Sequence, residues 1–428
     1  MEIEKLTYWN PWWESPATIG ELSGKLRLKY KLLVDSIKIR EITILTGIRR
    51  AGKSTLMYQM IAALLNANVN PKQILFVNLE DKKLAQDTLD DIYLTYREKL
   101  NPTEKAYIFF DEVHRRNEWE AWIRKKYDTK SNDKFVISGS CSYLLKKEYS
   151  TLLTGRNLTF EVFPLSFEEW LGFKEILLNK KDLQKGLISE KTKIKLLRSM
   201  NEYLYEGGFP EVSFKPKEYK MPLLQQYFDD ILYKDIVDRY NLNPQKTKDL
   251  ALFFATNFTG IMSLRNVRNS LQLSYDTTTN YLAYFKEAFL FFTLDHFSYS
   301  FKEQKTLASK VYCIDNGLRN AVSFKFSKDE GKLAENLVLV ELLRRKTSVY
   351  YWKNKNEVDF VIKNSDNSLT AINVSYTDEL DEREIKGALE FKEKYKLRIK
   401  ELIILSKNTE QKIKRIKVVP LWKWLLVS

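Results

Sequence analysis

Residues 41–56 constrain the fold of this chain more than any other segment. A short apolar strand runs directly into a loop with the pattern Gly-x4-Gly-Lys-Ser, formed by Gly47, Gly52, Lys53 and Ser54, and an amphipathic run follows the loop. This spacing lets successive backbone amides point inward and hold phosphate groups at the N-terminus of a helix. The segment therefore predicts a nucleoside triphosphate site of the P-loop type.

Every residue of the loop is a candidate contact to the nucleotide. Lys53 is expected to reach the β- and γ-phosphate oxygens, and the Ser54 hydroxyl is expected to bind Mg²⁺. The alternative is a glycine-containing turn beside a surface lysine, but the flanking strand and helix favour the nucleotide site. The predicted nucleotide-binding residues are Gly47, Ile48, Arg49, Arg50, Ala51, Gly52, Lys53, Ser54 and Thr55.

A second apolar run, residues 106–110, ends in the paired carboxylates Asp111 and Glu112. Such a run is typical of a buried parallel strand that presents charge at its C-terminal edge. Asp111 is the candidate Mg²⁺ partner, and Glu112 is placed to polarise the water that attacks the γ-phosphate. Taken alone, the two acids could equally be solvated at a strand end, whereas behind a P-loop they indicate a hydrolytic site.

Three further residues are candidates for the same site. If the strand at 134–138 lies between the two strands above, Ser138 or Ser140 at its tip can hydrogen-bond the attacking water or the γ-phosphate. For Ser140 a helix N-cap is an equally good reading. Arg156 is an isolated cation of the kind that stabilises transition-state charge from within the chain or from a neighbouring subunit, and Arg49 and Arg50 compete for that role.

Strands and helices alternate through the first part of the chain, which predicts an α/β domain with a parallel sheet covered on both faces. The opening tryptophans, Trp9, Trp12 and Trp13, are expected to staple the terminus onto this domain rather than to stack a base. The predicted strands are 41–46, 73–79, 106–111, 134–138 and 158–163, and the predicted helices are 54–66, 87–100 and 118–127, with another short helix after 138.

Residues 195–255 are predicted to be helical with a break at 207–210, as either a lid over the nucleotide or a packing bundle. Residues 263–285 then have helix-turn-helix spacing, with two short helices that each start at a serine, and the alternating runs 291–294 and 310–314 could pair as a wing. The module could contact DNA or serve only in packing. The candidate DNA-binding residues are Arg265, Arg268, Thr277, Thr279 and Asn280.

The last hundred residues combine a helix from 331 with strands near 349, 357, 370 and 401. Glu335, Asp359 and an acid-x-Lys strand would together form a Mg²⁺-dependent nuclease site. In the third element the acid and the lysine are replaced by Asn373 and Ser375. We therefore expect a nuclease-shaped domain with a vestigial site formed by Glu335 and Asp359, in preference to an active nuclease.

The composition is that of a globular protein, since 44% of the residues are apolar. The formal net charge of +14 suits a polyanionic partner, but a lysine-rich surface alone would also explain it. Cys141 and Cys313 form no CxxC pair, and His114 and His296 have no ligand-like neighbours. We expect a cytoplasmic protein with no disulfide, no structural zinc and no membrane association.

Taken in order, these motifs resemble those of prokaryotic, largely archaeal, AAA+-class ATPases that carry a winged-helix module and a C-terminal restriction-endonuclease-like domain of unassigned function. The resemblance implies ATP as the nucleotide, a P-loop NTPase sheet of strand order 5-1-4-3-2, and the roles given above for Lys53, Ser54, Asp111 and Glu112. The chain departs from the family pattern at Asn373 and Ser375. The motifs that carry the resemblance lie at 47–54, 108–112, 137–142, 155–156, 164–170, 207–210, 310–318, Glu335 and 357–359.

The predicted domains are a P-loop ATPase domain at 1–194, a helical lid and winged-helix domain at 195–328, and a nuclease-like α/β domain at 329–428. The leading hypothesis is Mg²⁺-dependent ATP hydrolysis that drives a conformational cycle on duplex DNA. The second hypothesis is a nucleotide-gated signalling or defence switch that binds a protein partner or associates with itself. The third is an ATP-controlled, metal-dependent nuclease.

Overall fold

The computed structural model describes residues 1–129, 131–140, 153–185, 187–323 and 329–427. The chain divides into two compact units, Met1–Val162 and Phe163–Ser428. The predicted short helix after residue 138 and Cys141 lie outside the described residues. Within the described ranges, no helix has the length and apolar character needed to cross a bilayer. The predicted three-domain division, with boundaries at 194 and 328, stays a prediction.

The first unit is built on a parallel sheet of five strands in the order β2-β3-β4-β1-β5. This confirms the predicted order 5-1-4-3-2 and places the P-loop strand between β4 and β5. All residues of β1 are buried, as expected for a strand covered on both faces. The strands are β1 (Ile42–Thr46), β2 (Ile74–Asn78), β3 (Tyr107–Asp111), β4 (Lys134–Gly139) and β5 (Asn157–Glu161).

Helices cover both faces of this sheet, and the predicted helices lie within two residues of the observed ones. α5 begins at a capping box, in which the Thr88 hydroxyl and the Asp91 carboxylate each accept from the other residue's backbone amide. The helices are α1 (Glu4–Thr7), α2 (Ile19–Ser23), α3 (Tyr30–Ile37), α4 (Lys53–Asn66), α5 (Leu89–Lys99) and α6 (Trp119–Asp128).

The opening segment packs against β2, the edge strand of this sheet. The Asn10 side-chain amide donates to the Phe76 carbonyl (2.8 Å) and accepts from the Phe76 amide (2.7 Å). The indole N–H groups of Trp12 and Trp13 both donate to the Ile74 carbonyl. The predicted stapling role of these tryptophans is therefore confirmed.

The second unit begins with two short helices that were not predicted, and the predicted helices over 195–255 follow, with the predicted break at residue 207. Gly207 has a φ of 76° and ends α9, and α10 starts with a proline at its first position. A π-helical segment, Ile231–Val237, continues α11. The helices are α7 (Phe167–Phe173), α8 (Lys180–Gln184), α9 (Glu190–Glu206), α10 (Pro210–Ser213), α11 (Lys217–Asp230), α12 (Asp238–Tyr240) and α13 (Pro244–Thr256).

A helix pair and a small sheet follow. The first helix, α14 (Leu264–Leu271), is capped by the Ser263 side chain, and the second, α15 (Tyr275–Glu287), is capped by the Ser274 side chain, as predicted. The predicted pairing of 291–294 with 310–314 is also confirmed, because β7 and β8 are antiparallel neighbours in a three-stranded sheet of order β6-β8-β7. The strands are β6 (Ile261–Met262), β7 (Phe291–Leu294) and β8 (Ser309–Cys313), with helices α16 (Phe301–Thr306) and α17 (Asn316–Val322).

The chain ends in a six-stranded sheet of order β13-β14-β12-β11-β10-β9, in which β11, β12 and β14 run parallel and the other neighbouring strands pair antiparallel. All four predicted strands are present, whereas β13, β14 and the helices after β11 were not predicted. The elements are α18 (Glu330–Arg344), β9 (Ser348–Lys353), β10 (Glu357–Lys363), β11 (Leu369–Ser375), α19 (Glu382–Tyr395), β12 (Ile399–Ser406), β13 (Gln411–Ile413), β14 (Ile416–Pro420) and α20 (Leu421–Val427).

Candidate functional site

The loop after β1 has the geometry that the glycine spacing predicts. Gly47 has a φ of 150°, and a β-carbon there would lie 2.1 Å from the Val162 carbonyl oxygen, so only glycine fits. Arg50 and Gly52 have φ angles of 68° and 95°. These left-handed residues turn the chain so that α4 begins directly at Lys53. The helix N-terminus and the loop amides together form an anion-binding cradle.

Lys53 is buried at the start of α4 and lies against the loop itself. Its Nζ donates to the carbonyl oxygens of Gly47 (3.0 Å) and Ile48 (3.2 Å) and lies 3.9 Å from Glu112 Oε1. Two neutral carbonyls are weak partners for an ammonium group compared with a phosphate oxygen. The contacts of Lys53 are therefore ones that a triphosphate can replace.

Ser54 and Asp111, the two predicted Mg²⁺ ligands, lie side by side. The Ser54 hydroxyl donates to Asp111 Oδ2 at 2.5 Å, and the Ser138 hydroxyl donates to the other carboxylate oxygen. Burial and the neighbouring Glu112 raise the pKa of Asp111, while hydrogen bonds from both serines and the charge of Lys53 oppose that shift. The Ser54 hydroxyl and the buried Asp111 carboxylate thus place two oxygen atoms together, and oxygen ligands of this kind suit Mg²⁺.

Glu112 follows β3 in a left-handed conformation, with φ 54° and ψ 46°. This conformation is uncommon for a residue with a side chain, and it often marks a functional position. The Ser138 hydroxyl accepts from the Glu112 backbone amide (3.1 Å), and Glu112 Oε2 accepts from the Ser140 backbone amide (3.1 Å). The two serines at the tip of β4 therefore hold Glu112, the candidate catalytic residue, through both its backbone amide and its carboxylate.

The two serines at the tip of β4 differ in what their hydroxyls contact. Because β4 lies between β1 and β3, the predicted position of both serines is confirmed. The Ser138 hydroxyl bonds Asp111, whereas the Ser140 hydroxyl is buried and has no hydrogen-bond partner among the residues that the structure describes. Ser140 is therefore the better candidate of the two for contacting a bound phosphate or water.

Arg156 does not lie with the other site residues. It precedes β5, and its backbone carbonyl accepts from the amide of Ile42, at the N-terminal end of β1. The P-loop follows the opposite end of that strand, about 13 Å away at 3.3 Å per residue. The Arg156 guanidinium is paired with Asp128 at 2.8 Å. Arg156 and the loop thus lie at opposite ends of β1, and the catalytic role of Arg156 stays a prediction.

Glu80 contributes two contacts to the site that the sequence analysis missed. Its Oε1 lies 2.9 Å from Arg49 of the loop and 2.6 Å from Arg115, three residues beyond Glu112. Burial acts to raise the pKa of Glu80, but the two guanidinium groups lower it to about 2. The sequence did indicate Glu80 as a site residue, because it follows the apolar run of β2 as Asp111 follows that of β3.

The five predicted DNA-binding residues differ in their exposure to solvent: two are exposed and three are half-buried. Arg265 and Asn280 are exposed, and Arg268 is half-buried. Thr277 and Thr279 are also half-buried; the Thr277 hydroxyl pairs with that of Ser274, and the Thr279 hydroxyl donates to the Tyr275 carbonyl. Both threonines lie in the first turns of α15, and their contact with bases stays a prediction.

The two predicted vestigial nuclease residues, Glu335 and Asp359, do come together, but around a lysine that the sequence analysis did not include. Lys310 Nζ lies 2.8 Å from Glu335 Oε1 and 3.4 Å from Asp359 Oδ1. Burial raises the pKa of Glu335 to about 7, although Lys310 opposes the shift. Asn373 and Ser375 of β11 are buried beside this cluster, at the positions where an acid and a lysine were expected.

Three family models match the chain in succession. An AAA domain matches residues 39–171, a domain of unknown function (DUF8612) matches 197–329, and a second domain of unknown function (DUF4143) matches 330–424. Solved structures that the chain partly matches include the yeast (S. cerevisiae) Hsp104:casein complex, with a TM-score of 0.30 and 12% identity over 43% of this chain and 35% of that chain. A DNA replication initiation factor has a TM-score of 0.26 and 10% identity over 62% of this chain and 90% of that chain.

Two relatives match almost the full length. Uncharacterized protein MJ1544 of Methanocaldococcus jannaschii is 34% identical over 93% of this chain and 92% of its own length. An uncharacterized protein of Haemophilus influenzae is 30% identical over 90% of this chain and 94% of its own length. Neither the predicted archaeal bias nor a nuclease-like C-terminal domain follows from these matches. The chain belongs to the family of these two proteins, with an AAA domain followed by two domains of unknown function.

Proposed function

We propose that this protein is a Mg²⁺-dependent ATPase. The observation that carries the proposal is the contact between the two halves of the site: the Ser54 hydroxyl at the start of α4 lies 2.5 Å from the Asp111 carboxylate at the end of β3. Phosphate-binding and metal-binding groups thus meet at one edge of the sheet, which is where ligands bind in parallel α/β folds.

Each residue has a separate role in this proposal. The loop amides and Lys53 bind the phosphates, while Ser54 and Asp111 would hold Mg²⁺, which neutralises phosphate charge when bound. Glu112 orients the attacking water and accepts its proton, and the Ser140 backbone amide keeps the Glu112 carboxylate in position. The buried hydroxyl of Ser140 supplies one more hydrogen-bond donor toward the water or the γ-phosphate.

Arg156 is proposed to act only between subunits, if the active form is an assembly. The residue lies at the edge of the sheet opposite the loop, where a neighbouring copy could receive it. An arginine supplied from a neighbouring subunit stabilises charge that develops on the transferred phosphate. In this proposal Arg49 of the loop, which pairs with Glu80, is the candidate for that role within the chain itself.

The finer part of the proposal is that hydrolysis drives a conformational cycle on duplex DNA in the cytoplasm. It is supported by the net charge of +14 and by the exposed positions of Arg265 and Asn280 on a capped helix pair. A protein partner is the second candidate function. It is favoured by the exposed start of α15, where Tyr275 is 56% exposed and Asp276 carries a negative charge that would repel DNA.

The test is the ATPase rate of the full chain, measured with and without duplex DNA across a salt series. DNA stimulation that declines steeply with salt is expected, because phosphate contacts release counterions. Turnover that ignores DNA at low salt would favour the protein partner. No turnover under any condition, together with no ATP binding by calorimetry, would refute the ATPase proposal itself. Arg265→Ala should reduce the stimulation by DNA. Exposed Arg198→Ala is the control and should leave the stimulation unchanged.

A further inference from the structure

The side chain of Lys310 is enclosed by three carboxylates in the second unit. Lys310 belongs to β8, and its side chain is 2% exposed. Its Nζ lies 2.6 Å from Glu357 Oε1, 2.8 Å from Glu335 Oε1 and 3.4 Å from Asp359 Oδ1. The acids come from α18 and β10, whereas the lysine comes from the three-stranded sheet. One ammonium therefore bridges two parts of the unit that are separate in sequence.

Neighbouring tyrosines fix the position of this ammonium. The Tyr312 hydroxyl, two residues along β8, also donates to Glu335 Oε1, at 2.7 Å. The Tyr351 ring of β9 lies 5.9 Å from Lys310 Nζ, and the Tyr351 hydroxyl donates to the carbonyl of Ala308, just before β8. One tyrosine thus holds a carboxylate that pairs with the lysine, and the other holds the chain just before β8.

A nuclease-type metal ion does not fit this arrangement of donors. Mg²⁺ needs oxygen ligands at about 2.0–2.1 Å in octahedral geometry. Here the ammonium nitrogen fills the space between the Glu335 and Asp359 oxygens. Asp359 Oδ2 already accepts from the Val374 amide at 2.9 Å. Over the part of the chain that the structure describes, no group of three or more His, Cys, Asp or Glu side chains is arranged to hold a metal ion.

The strand that should supply the rest of a nuclease site is engaged elsewhere. Asn373 of β11 donates through Nδ2 to Glu384 Oε2 at 2.6 Å and to the backbone carbonyls of Glu357 and Glu384. Its Oδ1 is buried and accepts no hydrogen bond within the described ranges. The Asn373 amide oxygen is therefore an unused acceptor beside the cluster, and the carboxylate that was expected on this strand is absent.

We propose that Lys310 takes the place of a divalent cation in the C-terminal domain, as a permanent counter-cation for Glu335, Glu357 and Asp359. The buried ammonium offsets the charge of carboxylates that would otherwise repel one another, and it ties β8 to α18 and β10. It follows that the wild-type domain needs no metal ion. Removal of Lys310 should leave a space bounded by carboxylate oxygens that a divalent cation can enter.

The experiment is a Mn²⁺ titration of the full chain without nucleotide, followed by electron paramagnetic resonance. Wild type and Asp359→Asn should bind the same number of Mn²⁺ ions, because any binding at Ser54 and Asp111 is common to both. Lys310→Ala should gain one Mn²⁺ ion, and the double variant with Asp359→Asn should lose it. The melting temperature of Lys310→Ala should be lower than that of wild type without metal and should recover when Mn²⁺ is added.

The control is Lys353→Ala, because Lys353 pairs with the same Glu357 at 3.2 Å from a position that is 50% exposed. It should neither gain a Mn²⁺ ion nor melt several degrees lower. Wild-type Mn²⁺ binding that disappears in Asp359→Asn would overturn the proposal, and so would a folded Lys310→Ala that gains no ion. If Lys310→Ala does not fold, the comparison of wild type with Asp359→Asn decides alone.

Discussion

Two lysines of this protein, Lys53 and Lys310, are buried to a similar extent but differ in the charge of their neighbours. Lys53 lies on two loop carbonyls, and its nearest carboxylate, Glu112, is 3.9 Å away. Lys310 has three carboxylates within 3.4 Å. The first ammonium retains charge that a phosphate can use, whereas the charge of the second is already neutralised within the protein.

In the two proposals above, the partners of a lysine, and not its burial, distinguish a binding group from a structural one. A backbone carbonyl releases an ammonium at little cost when a stronger anion arrives. Three carboxylates around one buried ammonium do not, because its removal would leave them close together without a counter-charge. The four predictions below test each side of this contrast, from the largest expected effect to the smallest.

Glu112→Gln should retain ATP binding and lose hydrolysis by on the order of 10²–10⁴-fold, because the amide cannot accept a proton from water. ATP affinity by calorimetry and steady-state turnover measure the two effects separately. Exposed Glu118→Gln, at the start of α6, is the control and should change neither. Turnover that survives Glu112→Gln would remove this carboxylate from the mechanism.

Lys53→Ala should weaken ATP binding and slow turnover by on the order of 10²–10³-fold, the usual effect of removing one preorganised charge donor from a phosphate site. The melting temperature without nucleotide should change little, since the lost bonds go to neutral carbonyls. Exposed Lys99→Ala in the same unit is the matched control. A large loss of stability in Lys53→Ala would contradict the contrast with Lys310.

Lys310→Ala should lower the free energy of unfolding by about 3–5 kcal/mol in metal-free buffer, because the buried ammonium is removed and its three carboxylate partners lose their counter-charge. Lys353→Ala, which removes a half-exposed partner of Glu357, should lower it by less than about 1 kcal/mol. Urea unfolding followed by fluorescence measures both values. Equal losses of free energy of unfolding in the two variants would mean that Lys310 contributes no more to stability than the half-exposed Lys353.

Glu384→Gln should change how stability depends on pH. Burial, then the charge of Asp359, raises the pKa of Glu384 to about 8. A raised pKa means that the folded state holds the proton more tightly, so stability is full below the unfolded-state pKa near 4.5 and falls as pH rises toward 8. Glu384→Gln should remove up to ~1.4 kcal/mol per pH unit of that decline.

Glu390→Gln on the same helix is the control with the opposite sign. Hydrogen bonds from Asn356 and its neighbours lower the pKa of Glu390 against the effect of burial. The stability that Glu390 contributes is therefore present above its unfolded-state pKa and is lost as pH falls. Parallel pH profiles for the two variants, measured by thermal melting, would contradict the assignment of a buried proton to Glu384.

Much of the nucleotide site could be predicted from sequence because its residues follow their strands directly. The P-loop, Asp111, Glu112 and the serines at the tip of β4 each occupy a strand end, and a parallel sheet brings such ends to one edge. Arg156 differs from these residues, because it precedes β5 and therefore lies at the other end of the strands. Residue type alone suggested its catalytic role, which stays a prediction.

The Lys310 cluster could not be predicted in this way. Lys310 is 25 residues from Glu335 and 49 from Asp359, and these intervals have no periodic relation to a strand or helix. The missing lysine of β11 was visible as Ser375, but no local pattern indicates that a strand of another sheet places an ammonium beside the same carboxylates. Tertiary packing alone brings Lys310 and these acids together.

The pairing of Asn10 with Phe76 has a consequence for the solution behaviour of the protein. An uncovered strand at the margin of a sheet is a template on which other chains can assemble, and proteins protect such margins in several ways. Here a single carboxamide imitates a peptide group and occupies the donor and acceptor that a passing strand would need. Loss of that side chain would open a route to oligomers and fibrils without disturbing the nucleotide chemistry.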